Sequence, residues 1–291
     1  MENNVIKLTP VNKCPICFCK NRNLVRKKET FKLYQCEKCK IVYLHEIPCN
    51  IDDIYNKTNL ITYSQYYKLS ETLDKKIFKS RLNTIKNITK ATSKDSILDI
   101  GCSVGCFLNV ARQMGWNQIL GIDPIKESID ECTNKNIPVI SNFFDKKIAD
   151  QKRDQFCIVH LGDVIEHVQN PNEILKNIKT VLKPKGFVAI VTPNYDSLIA
   201  KIFQVKPYEH LTYFNEESLF YLLKQNDFKV VYSSKITRER SLKSLAFGHA
   251  ITSDFGKTLV NFLIWIKAEN LINFFIKNFV KDELFVIAKK Q

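Results

Sequence analysis

Between residues 96 and 193, short apolar runs alternate with longer segments whose apolar residues recur at helical spacing. The runs "SILDI", "QILGID", "IPVI", "FCIVHL" and "FVAIVTP" predict strands; residues 105–114, 126–135 and 171–182 predict the helices between them. "VLKPKG" reads as the end of the last of these helices, stopped by Pro184 and Gly186. Such an alternation predicts a doubly wound α/β sheet, which binds its ligand beyond the carboxyl ends of its strands. "FKVVYSS" and the terminal "ELFVIAKK" supply two more strands, and "NEES" marks Asn215 as the cap of a helix over 215–225. Upstream, Leu73, Ile77, Leu82, Ile85 and Ile88 predict a helix over 70–92. The apolar stretch 256–280, broken by Lys267, Glu269, Asn270 and Lys277, predicts a helical insertion before the last strand. A buried helix on the sheet, an acceptor cover, a dimer face and a membrane-surface contact all fit it.

Composition adds a second unit. The 291 residues suit one large domain plus a small module. Two C-x-x-C pairs, Cys14/Cys17 and Cys36/Cys39, flank the alternating stretch "NLVRKKETFKLYQC". Each pair lets two thiolates converge on one ion, and two pairs joined by a hairpin complete a tetrahedral zinc site. Four thiolates leave zinc no open position, so the ion is expected to be structural. The predicted organisation is a zinc-binding module over 1–60, a helical lid or linker over 61–95, and the α/β domain over 96–291. That domain carries the insertion, delimited as 240–281. Tyr63, Tyr66 and Tyr67, in "YSQYYKL", fit a wall against an acceptor or plain helix packing.

The net charge of +14 is uneven: +10 over 1–90, −1 over 91–200 and +5 over 201–291. Basic ends around a neutral centre suit an anionic small molecule, nucleic acid or a membrane surface, or simply well-solvated lysine helices. The longest apolar run in the C-terminal part, "FLIWI", is too short to span a bilayer, and "MENNVIKLTP" lacks an apolar signal region. A soluble, cytoplasmic protein is expected.

Candidate chemistry centres on "ILDIGCSVGCFL", where the first strand ends at Asp99 and Gly101 and Gly105 let the turn pass beneath a ligand. "GIDP" puts Asp123 at the next strand tip, where an acid suits two ribose hydroxyls. The third glycine that admits a pyrophosphate is missing; Cys106, Phe107 and Leu108 follow Gly105. A nucleoside without a pyrophosphate is favoured, S-adenosylmethionine above all.

These segments, with "VIEHVQNPNEILKNIKTVLKPKGFVAIVTPN" and "EHLTYF", resemble class I S-adenosylmethionine-dependent methyltransferases. The closest group pairs an N-terminal cysteine zinc module with the methyltransferase core and includes sugar methyltransferases of deoxysugar and surface-glycan pathways. The resemblance implies a seven-stranded Rossmann-like sheet whose last strand is antiparallel. It implies that Asp99 and the backbone from Gly101 through Ser103 to Gly105 hold the methionine part. Asp123 would hold the ribose, Asn142 and Phe143 the adenine, and Leu161 would line the cofactor. Ser103 replaces the group's usual central glycine.

Five histidines are candidate bases: His45, His160, His167, His210 and His249. In "DVIEHV", Asp163, Glu166 and His167 resemble a segment of quinone O-methyltransferases and suggest a divalent-ion site. Alternatively, Glu166 and His167 cap and anchor the helix beginning near Pro171. "KPYEHLTYF" resembles a segment of sugar C-methyltransferases that meets the sugar, which makes His210 and Tyr208 catalytic candidates and Glu209 a substrate contact. Tyr208 stands where that group often has a histidine, so both carbon and oxygen methylation stay open. Asn194, in "TPN", joins Tyr66 and Tyr67 as an expected acceptor neighbour. The expected activity is methylation of a sugar or nucleotide sugar in glycan biosynthesis. The alternatives are an RNA methyltransferase gripping the backbone with its basic zinc module, and a quinone-type O-methyltransferase. No "NPPY"-like tetrapeptide follows the fourth strand; "HLGDVIEH" stands there instead.

Overall fold

A computed structural model describes residues 7–49, 60–203, 205–237 and 281–291. The insertion over 240–281 and the apolar stretch 256–280 within it lie outside the described residues, apart from Lys281.

The N-terminal part is built from β1 (Leu8–Pro10), β2 (Arg22–Lys27), β3 (Lys32–Cys36), β4 (Val42–Leu44) and β5 (Glu46–Pro48). Strand β1 pairs with β5, while β2, β3 and β4 form an antiparallel meander. Helix α1 (Leu60–Thr89) follows and starts about ten residues before the predicted 70. No glycine or proline lies between Pro48 and Gly101, so nothing stops helix propagation through the tyrosine-rich run.

The α/β part then runs β6 (Ile97–Ile100), α2 (Cys106–Gln113), β7 (Ile119–Asp123), α3 (Lys126–Asn134), β8 (Val139–Ser141), α4 (Lys146–Gln151), β9 (Phe156–Gly162), α5 (Pro171–Val181) and β10 (Leu182–Pro193). It ends with α6 (Leu198–Phe203), β11 (Thr212–Tyr213), α7 (Glu216–Gln225), β12 (Phe228–Ile236) and β13 (Glu283–Lys290). Asn215 caps α7 in a capping box with Ser218. Helix α5 stops at Val181, earlier than Pro184 would require. Pro184 and Gly186 fall in an irregularity between Leu182 and Phe187 at the start of β10, where a missing N–H is harmless.

Seven strands form one sheet in the order β12-β13-β10-β9-β6-β7-β8. The pairings β10/β9, β9/β6, β6/β7 and β7/β8 are parallel, whereas β13 is antiparallel to both its neighbours. The chain leaves β6 toward β7 and β8, then returns to β9 on the other side. The topological switch point, and with it the ligand crevice, therefore lies between β6 and β9.

Alternate residues of each central strand enter different cores. Leu98, Ile100, Val159, Leu161 and Ile190 pack on one face with α5 and α7. Ile97, Ile158, Ala189 and Phe285 pack on the other with α1 and α2. The first core also contains Cys14, Ile16, Cys36, Cys39, Ile41 and Tyr43, so the cysteine module shares a core with the sheet domain. Strand β4 also pairs with β11, which extends the module's sheet into the segment that carries His210.

Candidate active site

The cofactor side forms where β6 ends. Gly101 and Gly105 both adopt φ of 71°, in the left-handed region that glycine enters without strain. A Cβ on Gly101 would lie 2.5 Å from the Val164 side chain, so the loop passes tightly over the β9 turn. Ser103 also sits in this region, at φ 47°, where the resembling group has glycine. Its amide is compensated: Ser103 N–H donates to Asp123 Oδ2 at 2.8 Å, and Ile125 N–H donates to Oδ1 at 3.0 Å. The Asp123 carboxylate thus ties the glycine loop to the tip of β7. Burial pushes its pKa up, and the two backbone amides work against that rise.

Asn142 and Phe143 lie beside Asp123, and the Asn142 amide donates to the Asp123 carbonyl at 3.1 Å. Leu161 is fully buried in the sheet core rather than turned to the crevice, because it alternates with His160 along β9. Asp99 and His160 are register partners at the switch point, with His160 Nδ1 2.7 Å from Asp99 Oδ1. Next to them, Arg81 from α1 makes a buried ion pair with Glu283, Nη2 to Oε2 at 2.9 Å. His160 was one of five candidate bases with no partner assigned, and Arg81 was not singled out. Their roles depend on pairings across 61 and 202 residues, which periodicity does not reveal.

The second cluster forms past the ends of β9 and β10. Glu166, His167 and His210 each offer a ligand atom, and these atoms all lie within 4.8 Å of one another. His167 Nδ1 donates to the Glu209 carbonyl at 2.7 Å; a carbonyl only accepts, so neutral His167 carries its lone pair on Nε2. That Nε2 lies 3.9 Å from Glu166 Oε1. Burial holds the His167 pKa below the ordinary histidine range. Thr192 donates to Glu166 Oε2 at 2.9 Å, and the Glu166 carbonyl accepts from Leu211 N–H and Thr212 N–H at 2.8 and 3.2 Å. The His167 and His210 rings meet edge to face at 4.8 Å. A small cavity beside them is lined by Glu166, Pro193, Tyr195, Ala200, His210, Thr212 and Tyr213. Burial pushes the pKa of Tyr195 and of Tyr213 up, so both phenols stay protonated.

Glu166 and His167 do not cap α5. Asn170 does, accepting from Glu173 N–H at 3.2 Å. Instead they anchor the 209–212 segment. Tyr208 donates to the Thr30 carbonyl in the β2–β3 turn and packs with the module's smaller core. The Asn194 amide donates to the Lys281 carbonyl at 3.0 Å, and its side-chain oxygen accepts from Asp196 N–H, so it closes a loop. The backbone of Tyr63, Tyr66 and Tyr67 is helical in α1; their side chains lie outside the described residues. Tyr195 and Tyr213 line the cavity, and neither had been singled out. Tyr213 stands within "EHLTYF", which was a usable signal.

Cys14, Cys17, Cys36 and Cys39 converge, with Sγ–Sγ distances of 3.4 Å for Cys14/Cys39 and for Cys17/Cys36. Zinc–sulfur bonds of about 2.3 Å in a tetrahedron require about 3.8 Å between sulfurs, so the donor set fits zinc. The Cys39 thiol donates to Cys14, which holds the Cys14 pKa down to about 5.

Comparison with known proteins places this geometry. The methyltransferase-domain family profile matches residues 70–233, more than half of the chain. A mitochondrial ubiquinone biosynthesis O-methyltransferase from Dictyostelium discoideum is 25% identical over 191 residues, covering 58% of each chain. A ubiquinone biosynthesis O-methyltransferase from Rickettsia bellii is 34% identical over 123 residues, 39% of this chain and 50% of that protein. The chain thus spans little more than half the length of the curated relatives it matches. A solved S-adenosylmethionine-dependent methyltransferase from Archaeoglobus fulgidus superposes with a TM-score of 0.53 at 22% identity, covering 77% of this chain and 99% of that one. A Thermotoga maritima structure described as a possible histamine N-methyltransferase gives 0.52 at 14% identity, covering 83% and 100%. These two structures share the fold. With the profile matching from within α1 to within β12, the glycine loop at the switch point and Asp123 at the tip of the neighbouring strand, the chain belongs to the methyltransferase-domain family.

Proposed function

We propose that the protein moves a methyl group from S-adenosylmethionine to a hydroxyl oxygen of a small molecule, with a phenolic or quinol hydroxyl as the first acceptor class. The observation that carries this reading is the acceptor-side cluster: His210 and Glu166 beside two protonated tyrosines, past the ends of β9 and β10. The curated relatives named as O-methyltransferases support oxygen as the methylated atom. The cavity holds about 10 Å³, less than any ring needs, so its walls must part to admit an acceptor and the acceptor class rests on the relatives. Sugar and nucleotide-sugar acceptors, favoured on the sequence alone, have no counterpart among those relatives. They belong in the same substrate screen, together with RNA.

When bound, the sulfonium cofactor supplies the methyl group and an excellent leaving group. The chain's own tasks are then to orient the acceptor, exclude water and remove a proton. Asp99 and the 101–105 backbone hold the amino-acid end in this reading, and Asp123 the ribose. His210 takes the acceptor proton. Tyr195 and Tyr213 flank the ring. Zinc, held by Cys14, Cys17, Cys36 and Cys39, is structural.

A second reading is favoured by the convergence of Glu166, His167 and His210. His167 directs Nε2 inward because the Glu209 carbonyl fixes its other nitrogen, an arrangement common for metal-bound imidazole. A divalent cation on these three groups would neutralise an oxyanion on the acceptor. Turnover that falls on chelation, recovers with added magnesium or manganese and does not track zinc content would establish it. Metal-independent turnover leaves His210 as the base.

Asp123→Ala tests the cofactor assignment. It removes an acceptor for the ribose and releases Ser103 N–H, so calorimetry should find S-adenosylhomocysteine bound about ten- to a hundredfold more weakly, equivalent to ~1.5–3 kcal/mol. Unchanged affinity would show that the ribose is held elsewhere. A methyl-transfer screen over phenols, quinols, nucleotide sugars and RNA, read by mass, tests the acceptor class.

A further inference from the structure

Strands β6 and β9 are joined at the switch point by a side-chain bond as well as by their backbones. Asp99 and His160 are directly opposite in the parallel register, and both project to the face covered by α1 and α2. His160 Nδ1 is 2.7 Å from Asp99 Oδ1, with the two side chains 3% and 4% exposed. A carboxylate accepts, so Nδ1 carries the proton. The imidazole lies flat on Phe107, at a centroid distance of 3.9 Å and an interplanar angle of 9°. Phe107 belongs to the first turn of α2, directly after the glycine loop. The ring is therefore fixed to both sides of the cofactor crevice.

Two details indicate that this orientation serves Asp99. First, His160 Nε2 is buried and has no hydrogen-bond partner among the described residues. A buried nitrogen left unpaired is unfavourable, so the hydrogen bond that fixes the ring is the one Nδ1 makes to Asp99. Second, Gly162 admits it: a Cβ there would lie 2.9 Å from His160 Cε1 and 3.4 Å from Nε2. The bond commits Asp99 Oδ1, and with it sets the carboxylate plane and the direction of Oδ2.

We infer that His160 is a positioning residue for the amino-acid end of the cofactor, acting by aiming the Asp99 carboxylate. The inference rests on the proposed reading that Asp99 faces the methionine part. It separates this histidine from His167 and His210, which stand in the acceptor-side cluster.

The test compares two ligands that differ at that end. S-adenosylhomocysteine carries the amino-acid group, while 5′-methylthioadenosine lacks it. In His160→Phe the ring stack is kept and the Nδ1 donor is lost; S-adenosylhomocysteine should bind about ten- to a hundredfold more weakly, and 5′-methylthioadenosine within about threefold of the parent. His160→Asn restores a donor near the Nδ1 position and should recover most of the lost affinity. It also decides the matter if the phenylalanine variant fails to fold. Equal weakening of both ligands would make His160 a packing residue and overturn the proposal, as would unchanged affinity for S-adenosylhomocysteine. If the parent protein binds neither ligand, the cofactor reading fails and the inference falls with it.

Discussion

His210→Ala should lower methyl-transfer turnover by about 10²–10⁴ while leaving S-adenosylhomocysteine affinity within about threefold, because a placed general base contributes on that scale. The proposed cofactor residues lie on the 99–105 loop and at Asp123, whereas His210 lines a separate cavity with Tyr195 and Tyr213. A histidine must be neutral to accept a proton, so the variant should also lose the acidic limb of the rate profile. His167→Ala supplies the contrast. That ring holds the Glu209 carbonyl and packs edge to face on His210, so its loss should lower the melting temperature. The sign of its pH effect follows from burial: the folded protein favours neutral His167. Its contribution to stability is full above the unfolded histidine pKa of about 6.5 and is lost as pH falls below that. A folded but inactive His167 variant beside a near-normal His210 variant would transfer the base role to His167.

Cys36→Ser should reduce turnover at least tenfold and leave cofactor affinity nearly intact. The sequence marks off residues 1–60 as a module of its own. The structure ties the module to the α/β part, including the segment that carries His210, at three places. Cys36 ends β3, β3 pairs with β4, and β4 pairs with β11, two residues past His210. Leu33, Val42 and Leu44 share a core with Leu211 and Tyr213. On the other knuckle, Asn172 and Gln225 donate to the Ile16 carbonyl at 2.8 and 3.1 Å. Structural zinc contributes about 10–16 kcal/mol to the folding of small zinc modules, and losing one thiolate removes much of that. The expected signature is lower zinc content, early melting of the module and a raised KM or lowered kcat for the acceptor. Full turnover in a metal-free, folded variant would show that the module does not shape the acceptor site.

The sequence by itself determined the elements and the chemistry that local spacing encodes. The alternating apolar runs specified the parallel sheet. The places of Asp99, Gly101, Gly105 and Asp123 at the strand ends were legible because a tight turn after one strand and an acid after the next are local requirements. The doubled C-x-x-C was legible for the same reason. Asn215 could be named as a cap because its partner stands three residues away. The tertiary structure alone decided which distant side chains meet. It tied Tyr208 to the module, because the Tyr208 hydroxyl reaches the Thr30 carbonyl across 178 residues. It turned Leu161 into core and brought its neighbour His160 to Asp99, since period-two alternation assigns opposite faces but does not say which face the ligand uses. It joined His210 to Glu166 and His167, and the cysteine module to the segment after His210, through pairings that carry no sequence period. Long-range register is set by the sum of core packing, and no short window of residues contains that sum.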